Sequence, residues 1–247
     1  MYREGTEIAD RTCLMLTKDQ FLDAALGHVP FDGWSEATMR ATSEDLGMTE
    51  AEALALFPRG ALDLALAYHR AGDAEMVARL KSADLNEMRF RDLIAAGVKF
   101  RLEVADKELV RKGIAFFALP QNAADGTAAL WDTCDAIWNT LGDSSRDINW
   151  YTKRATLSAV YSSTVLFWLG DHSEGHAATW AFLDRRIDNV MQFEKVKAQA
   201  RENKLVKAFM SGPGKIFETI KAPGSSDMHP NYPGRWAPNP TQDGEAE

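Results

Sequence analysis

The sequence predicts an all-α fold, and three observations carry that prediction. Segments of alternating polarity are almost absent, helix starts and stops recur along the chain, and the longer apolar patterns repeat at helical spacing. Thr17-Lys-Asp-Gln20 and Thr49-Glu-Ala-Glu52 have the spacing of capping boxes, in which the threonine oxygen accepts from a backbone N–H and the Gln or Glu answers back. Ser35 can cap a helix that Gly47 ends. These signals predict short helices over 18–29, 36–46 and 50–56, closed by Pro58 and Gly60. Longer amphipathic helices are predicted over 60–81, 83–105, 107–118, 122–141, 149–170 and 174–203.

A chain of 247 residues, 45% hydrophobic and 10% aromatic, can bury a substantial core. Two cysteines, Cys13 and Cys134, have no partner motif, so a disulfide framework is excluded and a reducing compartment is expected. Cys134 reads as a small buried residue. The first sixteen residues mix charges with apolar side chains and lack the continuous hydrophobic segment of a signal peptide, and their acidic residues argue against a transit peptide. The net charge of -8 is polarised: Lys195 to Lys221 holds seven basic residues against Glu202 and Glu218, a local balance of +5. An acidic body with one basic arm points to an anionic surface met by the arm alone.

The densest stretch runs from Gly142 to Asp171, where a polar loop opens a helix with no charge between Ala155 and Gly170. Those sixteen residues span roughly 24 Å, short of the roughly 30 Å core of a bilayer. The helix is therefore expected inside the protein, enclosed by other helices or bordered by a greasy ligand. Five of the seven tryptophans, Trp131, Trp138, Trp150, Trp168 and Trp180, fall within fifty residues around it. They predict an aromatic-walled interior. Downstream, residues 204–221 set Phe209, Met210, Ile216, Phe217 and Ile220 among Lys204, Lys207 and Lys215, interrupted by Gly212-Pro-Gly214. Such a basic amphipathic segment is expected to rest on a membrane surface. The proline-rich remainder reads as a disordered tail.

Chemistry is sparse. His172-Ser-Glu174-Gly-His176 lacks zincin spacing and Gly175 weakens a helix there, so no metal is expected. No Glu-x-x-His pair, phosphate loop or nucleophile elbow occurs. Asp132 and Asp135 are read as solvated. The opening layout, with Phe57 at its end and a long helix from about Gly60, resembles the helix-turn-helix domain of TetR-type regulators. A recognition helix needs basic or amide side chains against the charge of DNA, yet 41–58 carries Glu44, Asp45, Glu50 and Glu52 and no lysine or arginine. No nucleic-acid partner is expected.

At Gly142, Asp143, Ser145, Asp147, Asn149, Trp150, Tyr151, Thr152, Lys153 and Arg154 the wording becomes specific, and Tyr161, Asp171, Thr179-Trp180 and Phe182-Leu183-Asp184-Arg185-Arg186-Ile187 continue it. This motif resembles the signature of the coenzyme Q (ubiquinone) biosynthesis accessory protein family, the lipid-binding "protein nine" of that pathway. The resemblance covers about 17–195. It implies a TetR/FadR-like helical bundle that has lost DNA binding, a homodimer, a pocket for isoprenoid or phospholipid, and no cofactor. It also implies a surface for the di-iron demethoxyubiquinone hydroxylase, or another hydroxylase of the pathway, and a terminal amphipathic helix on the membrane. In this chain that terminal segment departs from the family by its Gly-Pro-Gly interruption.

On this reading the chain divides into an extension (1–16), a helix-turn-helix-like segment (17–59), a helical lipid-binding domain (60–195), the basic arm (196–221) and the tail (222–247). The lipid-binding candidates are Trp131, Trp138, Leu157, Tyr161, Val165, Trp168, Trp180 and Phe182. Asp143, Asp147, Asn149, Trp150, Tyr151 and Arg154 are the partner-binding candidates, with Arg154 able to stack on Trp150 or pair with Asp147. The arm supplies the membrane contacts. A peripheral protein of the bacterial inner membrane, or of the mitochondrial matrix side in a processed form, is expected. Two other classes stay open: a ligand-responsive TetR-type regulator, and an enzyme using Asp143, Asp147, Tyr151 and Arg154.

Overall fold

A computed structural model describes residues 16–85, 87–202 and 222. Ten α-helices form and no strand among them. The described chain divides after Ala65 into two compact units.

In the first unit the caps set the helices. Thr17 and Thr49 both close complete capping boxes, opening α1 (Lys18–Ala25) and α4 (Glu50–Leu56). Ser35 caps α3 (Glu36–Asp45) by accepting from the Thr38 N–H, and Gly47 follows in the left-handed region at φ 63°. The predicted helix 18–29 is two pieces, because Pro30 at the second position of α2 (Val29–Asp32) cannot donate to a continuing ladder. α1 packs on α3, and α3 on α2 and α4. Phe21, Val29, Trp34, Met39 and Phe57 are buried there, with the Phe21 and Phe57 rings 5.3 Å apart. Glu44, Asp45, Glu50 and Glu52 remain exposed.

α5 (Ala61–Ser82) begins in this unit and continues into the second. The second unit holds α6 (Phe90–Glu103), α7 (Lys107–Phe117), α8 (Ala123–Thr140), α9 (Ile148–Leu169) and α10 (Ala177–Glu202). The expected helix over 83–105 starts only at Phe90, after an extended Arg89 whose guanidinium turns onto Asp92 at 2.8 Å. α9 packs on α8 and α10, and α6 on α8 and α10. Their shared core contains Met76, Val98, Cys134, Ile137, Leu157, Tyr161, Trp168 and Leu183. Gly97 lets α6 approach α8: a Cβ there would sit 2.9 Å from a methyl of Ile137.

α9 buries one face, Arg154, Leu157, Val160, Tyr161, Thr164, Val165 and Trp168, at the three- and four-residue spacing of a helix packed on one side. The expectation that it is enclosed all round is corrected by Leu166, 63% exposed, and Phe167, which stacks on Phe182 of α10 at 4.5 Å on the outer side. Its last carbonyls lack helical donors. Lys107 donates to the Asp171 carbonyl at 2.6 Å and Arg111 to that of Leu169 at 3.3 Å, cations suited to a helix C-terminus. The turn into α10 is pinned by Asp171, which accepts from the N–H and hydroxyl of Thr179 and the N–H of Ser173. These bonds hold its carboxyl well below the usual carboxylate range. No described helix is long and apolar enough to cross a membrane.

Candidate functional site

The loop at 141–147 and the first turns of α9 form one construction. Asp147 caps α9 by accepting from the Asn149 N–H at 3.0 Å, which orients the residues that follow. Arg154 is 0% exposed and each nitrogen of its guanidinium is engaged. Its Nε donates to Asp135 at 2.5 Å, Nη2 to the Asn139 side chain at 3.0 Å, and Nη1 to Asp143 at 3.0 Å and the Trp150 carbonyl at 3.1 Å. The guanidinium lies 4.0 Å from the centre of the Trp150 ring. Of the two roles expected for Arg154 the stack on Trp150 forms, while the carboxylates it pairs with are Asp135 and Asp143, not Asp147. Asp135, expected in solvent, is buried by that pairing.

Asp143 has a side chain only 1% exposed and holds a second cation, Lys153, at 2.7 Å; Lys153 also donates to Ser145 at 2.6 Å. Burial alone would raise the Asp143 carboxyl. The hydrogen bonds from Lys153, Ser145 and Arg154 outweigh it and hold the group well below the ordinary carboxylate value. Asp143 and Arg154, both expected at a partner surface, are thus closed inside the protein as a brace. Asp147, Asn149 and the half-buried Trp150 and Tyr151 are the members of that set that reach the surface.

Two recesses flank this turn of α9. The first is an apolar cavity of about 230 Å³ between α6, α8, α9 and α10, lined by Phe90, Ile94, Trp138, Leu157, Val160 and Ile187, with Asn149, Thr152, Lys153 and Arg91 among its polar members. The Trp138 indole donates to the Lys153 carbonyl at 3.2 Å, and the Lys153 ammonium lies 5.0 Å over its ring. Both cations on the wall are engaged by carboxylates, Lys153 by Asp143 and Arg91 by Asp188. The second is a shallow recess of about 330 Å³ formed by Trp131, Ile148, Tyr151, Thr152 and Ala155. Around it the Trp150 and Tyr151 rings meet edge to face at 4.8 Å, with Trp131 5.9 Å from Trp150.

The eight lipid-binding candidates therefore separate. Trp138 and Leu157 line the cavity, and Trp131 belongs to the other recess. Tyr161, Val165 and Trp168 are packed into the core, where burial pushes the Tyr161 phenol up to about 12. Trp180 bonds the Gly175 carbonyl beneath Lys99, and Phe182 stacks on Phe167. The membrane-binding candidates Lys204, Lys207, Phe209, Met210, Lys215, Ile216, Phe217 and Ile220 lie outside the described residues. Sequence reasoning missed Phe90, Ile94 and Val190, with the four-residue spacing of Phe90 and Ile94 on α6 as a signal, and it placed Ile187 in the motif but not in the cavity wall.

A second buried polar cluster braces α5 against α6 and α8. Arg101 donates to Asp73 at 2.6 Å and to the His69 carbonyl at 3.1 Å, while Thr133 bonds Asp73 and His69. Burial lowers the His69 imidazole against the opposing pull of Asp73. Gly72 makes room, since a Cβ there would fall 2.6 Å from the guanidinium of Arg101. The Cys134 thiol nearby is fully buried and is pushed up to about 12 by that burial, which disfavours the thiolate. Among the described residues no group of three or more His, Cys, Asp or Glu side chains could hold a metal ion.

A family model described as COQ9 matches residues 123–194, which hold the loop, both recesses' tryptophans and the whole of α9. The mitochondrial ubiquinone biosynthesis protein COQ9 of Drosophila melanogaster is 32% identical over 186 residues, 73% of this chain and 57% of that protein. Over these residues the chain is similar to the COQ9 family. The human member, also named a mitochondrial ubiquinone biosynthesis protein, is 27% identical over 206 residues, 80% of this chain and 64% of its own length. The chain thus spans about three-fifths of the length of these relatives. A solved structure described as a TetR transcriptional regulator from Nitrosomonas europaea aligns with a TM-score of 0.58 at 18% identity, covering 69% of this chain and 95% of that one. The all-α, TetR-like fold expected from the sequence is therefore the fold of the described residues.

Proposed function

We propose that this chain acts in ubiquinone biosynthesis as a non-catalytic accessory protein, binding the quinone ring or part of the isoprenoid tail of a pathway lipid and presenting it to a hydroxylase. The observation that carries this reading is the apolar cavity beside the Trp150–Tyr151 face. About 230 Å³ suits one substituted ring or a few isoprene carbons, since an engineered cavity of about 150 Å³ takes benzene. A full polyprenyl chain must therefore extend beyond it. With Lys153 and Arg91 already paired to carboxylates, an anionic headgroup gains little there, and an uncharged portion of the lipid is the favoured occupant.

Trp150 and Tyr151 are the proposed hot spot for the hydroxylase, flanked by Asp147 and Asn149 at the helix mouth. The homodimer is proposed to cover the outer face of α9 and α10 at Leu166, Phe167 and Phe182, the largest apolar exposure on the central helix. The segment 204–221 is proposed to hold the protein against anionic lipid. Asp143 and Arg154 satisfy each other inside the protein and line neither recess, which supports a binding role over catalysis. Exposed carboxylates on α3 and α4 disfavour a DNA-binding regulator.

The test is Thr156→Phe, which places a ring into the cavity from a half-buried wall position. Titration with a dimethoxybenzoquinone bearing one isoprene unit should show saturable binding to the wild type and at least tenfold weaker binding to the variant. Equal binding to both would reject the cavity as the site.

A further inference from the structure

The cavity and the aromatic face are separate surfaces, yet their walls share one chain of ion pairs. Lys153 belongs to the cavity, where its ammonium lies over the ring of Trp138. The same ammonium is held by Asp143 Oδ1 and Ser145 Oγ. Asp143 Oδ2 holds Arg154, and Arg154 lies under the Trp150 ring and donates to the Trp150 carbonyl. Asp143 therefore divides one negative charge between two cations, each of which is also stacked on an aromatic wall of a different surface.

Resting on the proposed function above, we infer that the protein reports occupancy of the cavity at the Trp150–Tyr151 face through Lys153, Asp143 and Arg154, which are positioning residues for that face. A ring packed against Trp138 displaces the Lys153 ammonium, the most easily moved member because its side chain is 37% exposed. Asp143 is then left with Arg154 as its one cation, beside the hydroxyl and N–H of Ser145. A buried carboxylate with one remaining cation binds it more tightly, because little solvent is present to replace the lost partner. Arg154 is drawn toward the loop, and its stack with Trp150 is weakened while Asp135 and Asn139 keep it tethered to α8. Loaded and empty protein consequently show a partner different aromatic faces. That is the requirement for a carrier to be recognised when it holds cargo.

The experiment is fluorine NMR of protein labelled with 5-fluorotryptophan, each resonance assigned by a single Trp→Phe change, titrated with the one-isoprene quinone. In the wild type the Trp138 and Trp150 resonances should move with one midpoint. In Asp143→Asn and in Lys153→Met, compared at saturation of the Trp138 response so that affinity changes do not enter, the Trp150 displacement should fall at least threefold. If Asp143→Asn does not fold, Lys153→Met decides, since it leaves the Arg154–Asp143 pair in place. A Trp150 resonance that stays fixed while Trp138 titrates, or that moves equally in both variants, overturns the coupling and leaves the cavity reading standing. A Trp138 resonance that never moves removes the cavity reading and the coupling together.

Discussion

Replacing Arg154 with methionine separates an internal brace from a surface contact. The side chain is fully buried and donates to Asp135, Asp143, Asn139 and the Trp150 carbonyl. Methionine keeps most of the volume and removes every one of those donors. Asp143 retains Lys153 and Asp135 retains the Asn139 amide, so neither carboxylate is wholly stranded. Removing one member of a buried pair generally costs about 3–5 kcal/mol, and the surviving partners place this case near the lower end. At 2–4 °C per kcal/mol for a chain of this size, a loss of about 3–4 kcal/mol lowers the melting temperature by roughly 6–16 °C. Circular dichroism and urea titration measure it. Adding Asp135→Asn to Arg154→Met should restore part of the loss, because the unpaired charge is what destabilises. A single variant within about 1 kcal/mol of the wild type would refute the brace.

Thr49→Ala should cost about 0.5–2 kcal/mol in urea titrations by opening the capping box of α4. Gly72→Ala should cost about 1–3 kcal/mol, since its Cβ would collide with the Arg101 guanidinium and drive it off Asp73. The acid limb of stability has a definite sign: the Asp143 and Asp171 carboxyls are depressed in the folded protein, so their contribution is complete above the unfolded value of about 3.9 and is lost as pH falls toward the folded values. Asp171→Asn should therefore flatten the fall in stability below about pH 5. His69 acts in the same direction at higher pH, because a lowered imidazole is favoured neutral in the fold and stability declines as pH drops below about 6.5; His69→Gln should remove that portion of a pH-dependent melting series.

The helix ends were legible where a short side chain does the capping. Thr17, Ser35 and Thr49 each cap the helix that local spacing assigned to them. The break at Pro30 and the late start of α6 were not read correctly, although Pro30 was visible in the sequence; apolar periodicity ran through both and concealed them. The site was legible as a motif and less so as geometry. Asp135 reads as solvated because its partner lies nineteen residues away on another helix. Tyr161 and Trp168 read as cavity walls because an aromatic stripe looks the same whether neighbouring side chains fill the space or leave it open. The cavity arises where side chains of α6, α8, α9 and α10 fail to meet, a property of four helices together that no single segment encodes.

The most direct measurement is native mass spectrometry of gently purified wild-type protein beside Thr156→Phe. The wild type should carry a neutral isoprenoid or quinone lipid that the variant, folded and of equal melting temperature, lacks. Wild-type protein free of any such lipid and without affinity for the one-isoprene quinone, or the same lipid retained equally by both proteins, would contradict a lipid-presenting cavity on α9.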